Sequence, residues 1–244
     1  MPRIGIFDSG VGGLTVQRAI LDALPGLDTV YLGDTARVPY GTKSPEVVTQ
    51  YSIRNARLLL TQDVEMLVVA CNTASAVALP ALRAAFDIPV LGVVEPGVRA
   101  AARATRTGRV GVIGTQSTVA SGAYQRALAE LIPGVRVTAR ACPLFVPLAE
   151  EGWTDPDDEV VRLVARRYLA PVRAAGVDVV VLGCTHYPLL AGAIAAEVAQ
   201  RFPAAAAAGT ASHLFFVTDT PDRFLAVAPR FLGRPVESAR HVDV

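Results

Sequence analysis

Lysine is almost absent from this chain: Lys43 is the only one among 23 basic residues. Schiff-base catalysis needs an activated lysine amine. Lys43 lies in a PYGTKS turn without that setting, so pyridoxal phosphate chemistry is disfavoured. Cysteine is scarce as well, with Cys71, Cys142 and Cys184 the only three in 244 residues. This leaves no disulfide framework and implies reduced thiols. Neither sign of charge dominates, since 22 acidic residues leave a formal net charge of +1. That gives no footing for a nucleic-acid or membrane-surface partner. Long apolar runs are missing too. The longest uncharged stretch, 179–196, is broken by Thr185, His186, Pro188 and Gly192, and makes a poor membrane span. MPRIGIFDSG opens directly into a strand pattern with no apolar leader, so the expected location is the cytoplasm. The short zinc spacings C-x-x-C and H-E-x-x-H do not occur. Cys71, Cys184 and His186 as a metal triad therefore rank below acid–base chemistry, and no metal or organic cofactor is expected.

What the chain does have is alternation. Apolar, β-rich segments recur at 4–7, 29–32, 66–70, 90–94, 110–113, 135–141, 177–182 and 214–218. Between them, 14–24, 47–62, 78–86, 123–132 and 159–176 carry apolar residues at three- and four-residue spacing, which predicts helices. Strand–helix alternation implies parallel sheets covered by helices. The two halves echo each other: IGIFDSGVGG by VGVIGTQSTVASG, and Cys71 in VVACNTAS by Cys184 in VLGCTHYP. The expected architecture is two Rossmann-like α/β lobes related by a pseudo-twofold axis, with the site in the cleft between them. The lobes span 1–95 and 96–204, and 205–244 returns to the first. A hinge is expected at the Glu95–Pro96–Gly97 segment.

Both cysteines follow apolar runs and precede polar residues, which places them at carboxyl ends of strands, where open α/β sheets bind ligands. A thiol just before a helix is favoured as thiolate, and Cys71 precedes one. Asn72 and Thr73 add donors for a carboxylate, and His186 sits two residues from Cys184. Asp8 suits an ammonium group or the orientation of a thiol, though an N-cap or solvated loop role is equally open. Gly10, Gly12 and Gly13 let amides approach an anion at a helix start, or form a plain tight turn. Tyr40, Gly41 and Thr42 suit a substrate loop or an ordinary turn. Glu150 and Glu151 read as a loop pair that either touches substrate or is only solvated, the latter slightly favoured, and Cys142 as a buried small hydrophobe.

Together GIFDSGVGGLTV, YLGDTARVPYG, VVACNTASAVALP, VIGTQSTV, CPLFVPLAEEG, LGCTHYPLL and FVTDTPDRF resemble the glutamate racemases of the cofactor-independent aspartate/glutamate racemase superfamily. The resemblance covers most of the chain, and DSGVGG, CNTAS and GCTHYPLL are its specific parts. It implies that Cys71 and Cys184 are the catalytic thiols and that Asp8 and His186 assist them. By the same resemblance Ser9, Tyr40, Gly41, Asn72, Thr73 and Thr185 bind a small acidic amino acid, and the protein is a homodimer. The resemblance further implies supply of D-glutamate for peptidoglycan. Alternatives are a racemase of aspartate or another acidic amino acid, and a non-catalytic binding protein that needs neither thiol. One departure stands out. The family carries a further strand and helix between GCTHYPLL and FVTD. Here that stretch is shortened around 203–213, and the expectation is missing residues rather than a deleted sheet strand.

Overall fold

The computed structural model describes residues 3–198, 213–217, 221–233, 235–236 and 239–242. The shortened stretch at 203–212 lies outside the described residues. Two compact units are present, Met1–Val93 with Ala206–Val244, and Val94–Ala205.

The first unit begins with β1 (Arg3–Asp8), α1 (Leu14–Ala23), β2 (Asp28–Gly33) and α2 (Pro45–Leu60). It continues with β3 (Met66–Val69), α3 (Asn72–Val77), α4 (Leu79–Ala85) and β4 (Val90–Gly92). The second unit holds α5 (Val94–Ala104), β5 (Arg109–Gly114), α6 (Gln116–Ala120), α7 (Ala123–Leu131), β6 (Arg136–Ala141) and α8 (Phe145–Glu151). It closes with α9 (Glu159–Ala174), β7 (Val179–Gly183) and α10 (Ala191–Val198). The chain then supplies β8 (His213–Val217), α11 (Pro221–Leu232) and β9 (Arg240–His241) to the first unit. The first sheet has the order β4-β3-β1-β2-β8-β9 and the second β6-β5-β7. Every pairing is parallel.

The sequence explains this choice. Ile-Gly-Ile-Phe and Met-Leu-Val-Val are continuous apolar runs, as strands covered on both faces require. Phe7, Leu32 and Val69 pack with Val48, Ala56 and Leu59 of α2 and Leu82 of α4. In the second unit Ile113 packs with Phe145 of α8 and with Val161, Ala165 and Leu169 of α9. Caps fix the helix starts: Ser44 accepts the Val47 amide at 3.4 Å, and Asp158 that of Val161 at 3.0 Å. α2 begins two residues before the hydrophobic pattern does, because Pro45 fits its first position behind Ser44.

The 95–97 segment, expected to be the hinge, forms the first turn of α5 just after the boundary of the units at Val93, and Pro96 loses no bond there because first-turn amides have no helical acceptor. Glu150 and Glu151 are not in a loop but end α8, which Gly152 closes in the left-handed region at φ 81°. Among the described residues no helix is long and apolar enough to cross a membrane.

The starts of β5 and β7 are joined by Asp178, whose carboxylate accepts from the Thr105 hydroxyl at 2.7 Å and the amides of Arg106 and Thr107 at 2.7 and 2.8 Å. Burial pushes this carboxyl up, but the hydrogen bonds together outweigh it and hold the pKa at about 2 against an ordinary 3.8. A depressed carboxyl stabilises the fold above the unfolded value and loses that contribution as pH falls from 3.8 through about 2. Asp178→Ala is therefore expected to cost about 1 kcal/mol at pH 7, the scale of a lost helix cap. Denaturant melts of the two proteins should converge below pH 2, and a difference independent of pH would refute the account.

Candidate active site

The strand registers put the chemistry at one edge of each sheet. In the first, Asp8 pairs with Gly33 and Phe7 with Val69, so Asp8, Asp34 and Cys71 all lie at the carboxyl edge. In the second, Gly114 pairs with both Ala141 and Gly183, which brings Thr115, Cys142 and Cys184 to the same edge. The local order β2-β1-β3 repeats as β6-β5-β7. Cys71 and Cys184 therefore follow topologically equivalent strands, as do Asp8 and Thr115.

In the first unit Cys71 is the N-cap of α3, and its sulfur accepts the Ala74 amide at 3.5 Å. An amide aimed at sulfur favours thiolate over thiol. The Ser9 hydroxyl lies 3.7 Å from that sulfur. Asp8 is fully buried, and its Oδ2 accepts the Gly10 amide at 2.9 Å. Asn72 and Thr73 open α3 and are nearly closed to solvent. Ser75 ties α3 down, donating to the Val69 carbonyl at 2.7 Å and accepting the Val93 amide at 3.1 Å.

The glycine-rich turn does not cradle an anion. The Tyr31 hydroxyl occupies the start of α1, beside the Gly13 and Leu14 amides, and donates to the Gly10 carbonyl at 2.8 Å. An internal phenol thus takes the place the sequence offered to a ligand. Burial, then the nearby charges of Asp8 and Cys71, push that phenol well above its ordinary pKa, so it is neutral and able to donate.

Tyr40 and Gly41 form a one-turn 3-10 helix over Tyr40–Thr42, both buried. The Tyr40 hydroxyl is committed inside the protein: it donates to Asp34 Oδ2 and accepts the Asn55 side-chain amide at 3.0 Å. Burial, then the Asp34 charge, raise the Tyr40 phenol well above its ordinary range. Arg37 meets Asp34 at 3.4 Å and lies 5.0 Å above the Tyr51 ring. What this turn offers a ligand is backbone amides, since the first N–H groups of such a turn have no acceptor within it. Sequence reasoning passed over Asp34 and Asn55. The only signal for Asp34 was a carboxylate six residues ahead of Tyr40.

In the second unit Cys184 follows β7, and Thr185 and His186 lead into a 3-10 turn at Tyr187–Leu190. His186 Nδ1 lies 3.8 Å from the Cys184 sulfur and 3.4 Å from the Thr185 hydroxyl. Its Nε2 lies 2.9 Å from Glu150 Oε1 of α8. A carboxylate can only accept, so Nε2 carries a proton and, in the neutral ring, Nδ1 faces the thiol as a base. Glu150, expected to be solvated, is thus the group that sets the tautomer. Thr115 caps α6 and bonds Thr118, the two hydroxyls 2.9 Å apart. Cys142 has no exposure, and burial pushes its thiol up to about 12. It behaves as the small hydrophobe expected.

Lys43 ends the Tyr40–Thr42 turn. Among the described residues no group of three His, Cys, Asp or Glu side chains could hold a metal ion.

Comparison with known proteins bears on this geometry. Residues 5–212 match the family Asp/Glu/Hydantoin racemase. A glutamate racemase of Geobacter metallireducens is 55% identical over 251 residues, covering 94% of this chain and 92% of that protein. The crystal structure of glutamate racemase from Thermus thermophilus in complex with beta-chloro-D-alanine superposes with a TM-score of 0.84 at 44% identity, over 100% of this chain and 97% of that one. That of glutamate racemase from Francisella tularensis, in complex with D-glutamate, gives a TM-score of 0.89 at 32% identity, over 99% and 97%.

Proposed function

The chain belongs to the Asp/Glu/hydantoin racemase family, and from that premise we propose that it interconverts L- and D-glutamate with Cys71 and Cys184 as the two proton-transferring groups. It is a racemase, and the substrate follows from relatives named glutamate racemase at up to 55% identity over most of the chain. The observation that carries the mechanism is the paired placement of a buried thiol with polar neighbours after equivalent strands of the two sheets. Racemisation without an electron sink needs one base and one acid on opposite faces of a carbon. Two thiols can exchange those roles when the reaction reverses.

The roles divide as follows. Cys71 is tuned by Ser9, the Ala74 amide and Asp8. Cys184 exchanges its proton with His186, which Glu150 orients. Asn72, Thr73, Thr185 and the Tyr40–Gly41 backbone bind the substrate's carboxylates, and Asp8 its ammonium group. Preorganised donors of this kind support the charge that builds as the α-proton leaves. The resemblance supports a homodimer acting in the cytoplasm to supply D-glutamate for peptidoglycan, and the three free thiols suit a reducing compartment.

Protein dialysed exhaustively against a chelator and incubated with L-glutamate in D₂O should lose optical rotation while deuterium enters the α-position, as read by proton NMR. Exchange with L-aspartate alone would move the substrate to the aspartate class. Binding without exchange would refute catalysis.

A further inference from the structure

We propose that Tyr31 is a positioning residue for the Cys71 half of the reaction, its hydroxyl locking the 8–13 turn that holds Asp8 and Ser9 beside the thiol. The proposal rests on the reading of Cys71 as a proton-transferring group. Tyr31 lies on β2, is fully buried, and meets that turn through its hydroxyl. Phenylalanine would fill the same volume. Burying the extra oxygen is unfavourable unless it is hydrogen-bonded, and it donates to the Gly10 carbonyl of that turn at 2.8 Å, with Gly13 packed against it.

The turn is held without slack. A Cβ at Gly13 would come within 2.5 Å of the Asp8 Cβ and 2.9 Å of the Tyr31 hydroxyl. A Cβ at Gly33 would come within 2.5 Å of the Gly10 carbonyl oxygen, so β2 presses on that carbonyl from a second position. Gly10 relays the constraint, because its carbonyl accepts from Tyr31 while its amide donates to Asp8 Oδ2. Ser9, between the two, meets the Cys71 sulfur. Releasing the hydroxyl therefore takes this donor from the Gly10 carbonyl and lets Asp8 and Ser9 drift from the thiol, with no loss of apolar packing.

Tyr31→Phe should fold, lower kcat/KM about tenfold, as small misplacements of reacting groups do, and change KM less than kcat. A distinct signature comes from α-deuterated substrates in ordinary water. Slowing the Cys71 step raises the isotope effect for the enantiomer whose deuterium Cys71 removes. It lowers the effect for the other enantiomer, whose deuterium Cys184 removes in a step that no longer limits. A mere loss of stability moves neither. Activity within about twofold of wild type, or equal changes for both enantiomers, overturns the positioning role. Should Tyr31→Phe not fold, the wild-type protein decides: the Gly10 amide, held on Asp8 by the locked turn, should resist hydrogen exchange, and exchange at open-loop rates overturns the proposal. An active wild type with an indifferent Tyr31→Phe sinks only this role, whereas a wild type without α-exchange sinks the glutamate reading and this role with it.

Discussion

Cys71→Ala and Cys184→Ala are each expected to lower racemase kcat/KM by about 10²–10⁴-fold, the usual contribution of a positioned acid or base. Both thiols are buried, at 5% and 6% exposure, so each loss also opens a small void, and melting temperature should drop modestly. Cys142→Ala is the internal control. It removes an equally buried sulfur, whose thiol burial holds at about 12, and should leave turnover unchanged at a similar cost in stability. The double variant Cys71→Ala/Cys184→Ala should be little worse than either single one, because the thiols act as a unit. Racemisation timed by polarimetry, with melting followed by circular dichroism, separates catalysis from folding. Near-normal turnover in either single variant would rule out the two-thiol mechanism.

Much of the fold could be read from the chain because parallel strands buried on both faces leave a distinct mark. Runs such as FD after IGI, or CN after LVVA, switch from apolar to polar where the strand leaves the sheet. That switch marks Asp8, Cys71 and Cys184 as strand-end residues, and the resemblance implies their roles. Pairwise geometry was harder to read. The bond from Glu150 to His186 spans 36 residues, and nothing local in AEEG says which residue it meets. Pro147 also hid α8, since a proline in a short apolar stretch reads as a break although it fits a helix's first turn. Tyr31 was hidden for another reason. On a strand of alternating Val, Tyr and Leu it counts simply as an apolar residue, and only the turn packed over it reveals that its hydroxyl is in use. Tyr40 went the opposite way, its hydroxyl offered to substrate by the sequence and found bound to Asp34 and Asn55.

The asymmetry of the two thiol settings leads to the second large effect. Cys71 has a hydroxyl and a carboxylate turn for neighbours, whereas Cys184 has an imidazole backed by a carboxylate. His186→Asn, which keeps a polar side chain but removes the ring base, should lower kcat/KM by about 10²-fold, the lower end for a general base. The equilibrium constant between enantiomers is one, so kcat/KM must fall equally in both directions and cannot reveal which thiol was affected. Isotope effects can. With the Cys184 step slowed, the enantiomer deprotonated by Cys184 should show a larger α-deuterium effect. The other should show a smaller one, because its deuterium is removed at Cys71 before the limiting step. This is the mirror image of the Tyr31→Phe pattern. Glu150→Gln should move the isotope effects in the same sense as His186→Asn with a smaller loss, about tenfold, because the amide can still accept from Nε2 but no longer supports a charged ring. Symmetric isotope effects in His186→Asn would show that the imidazole does not serve Cys184, and would return His186 to a structural role beneath the 187–190 turn.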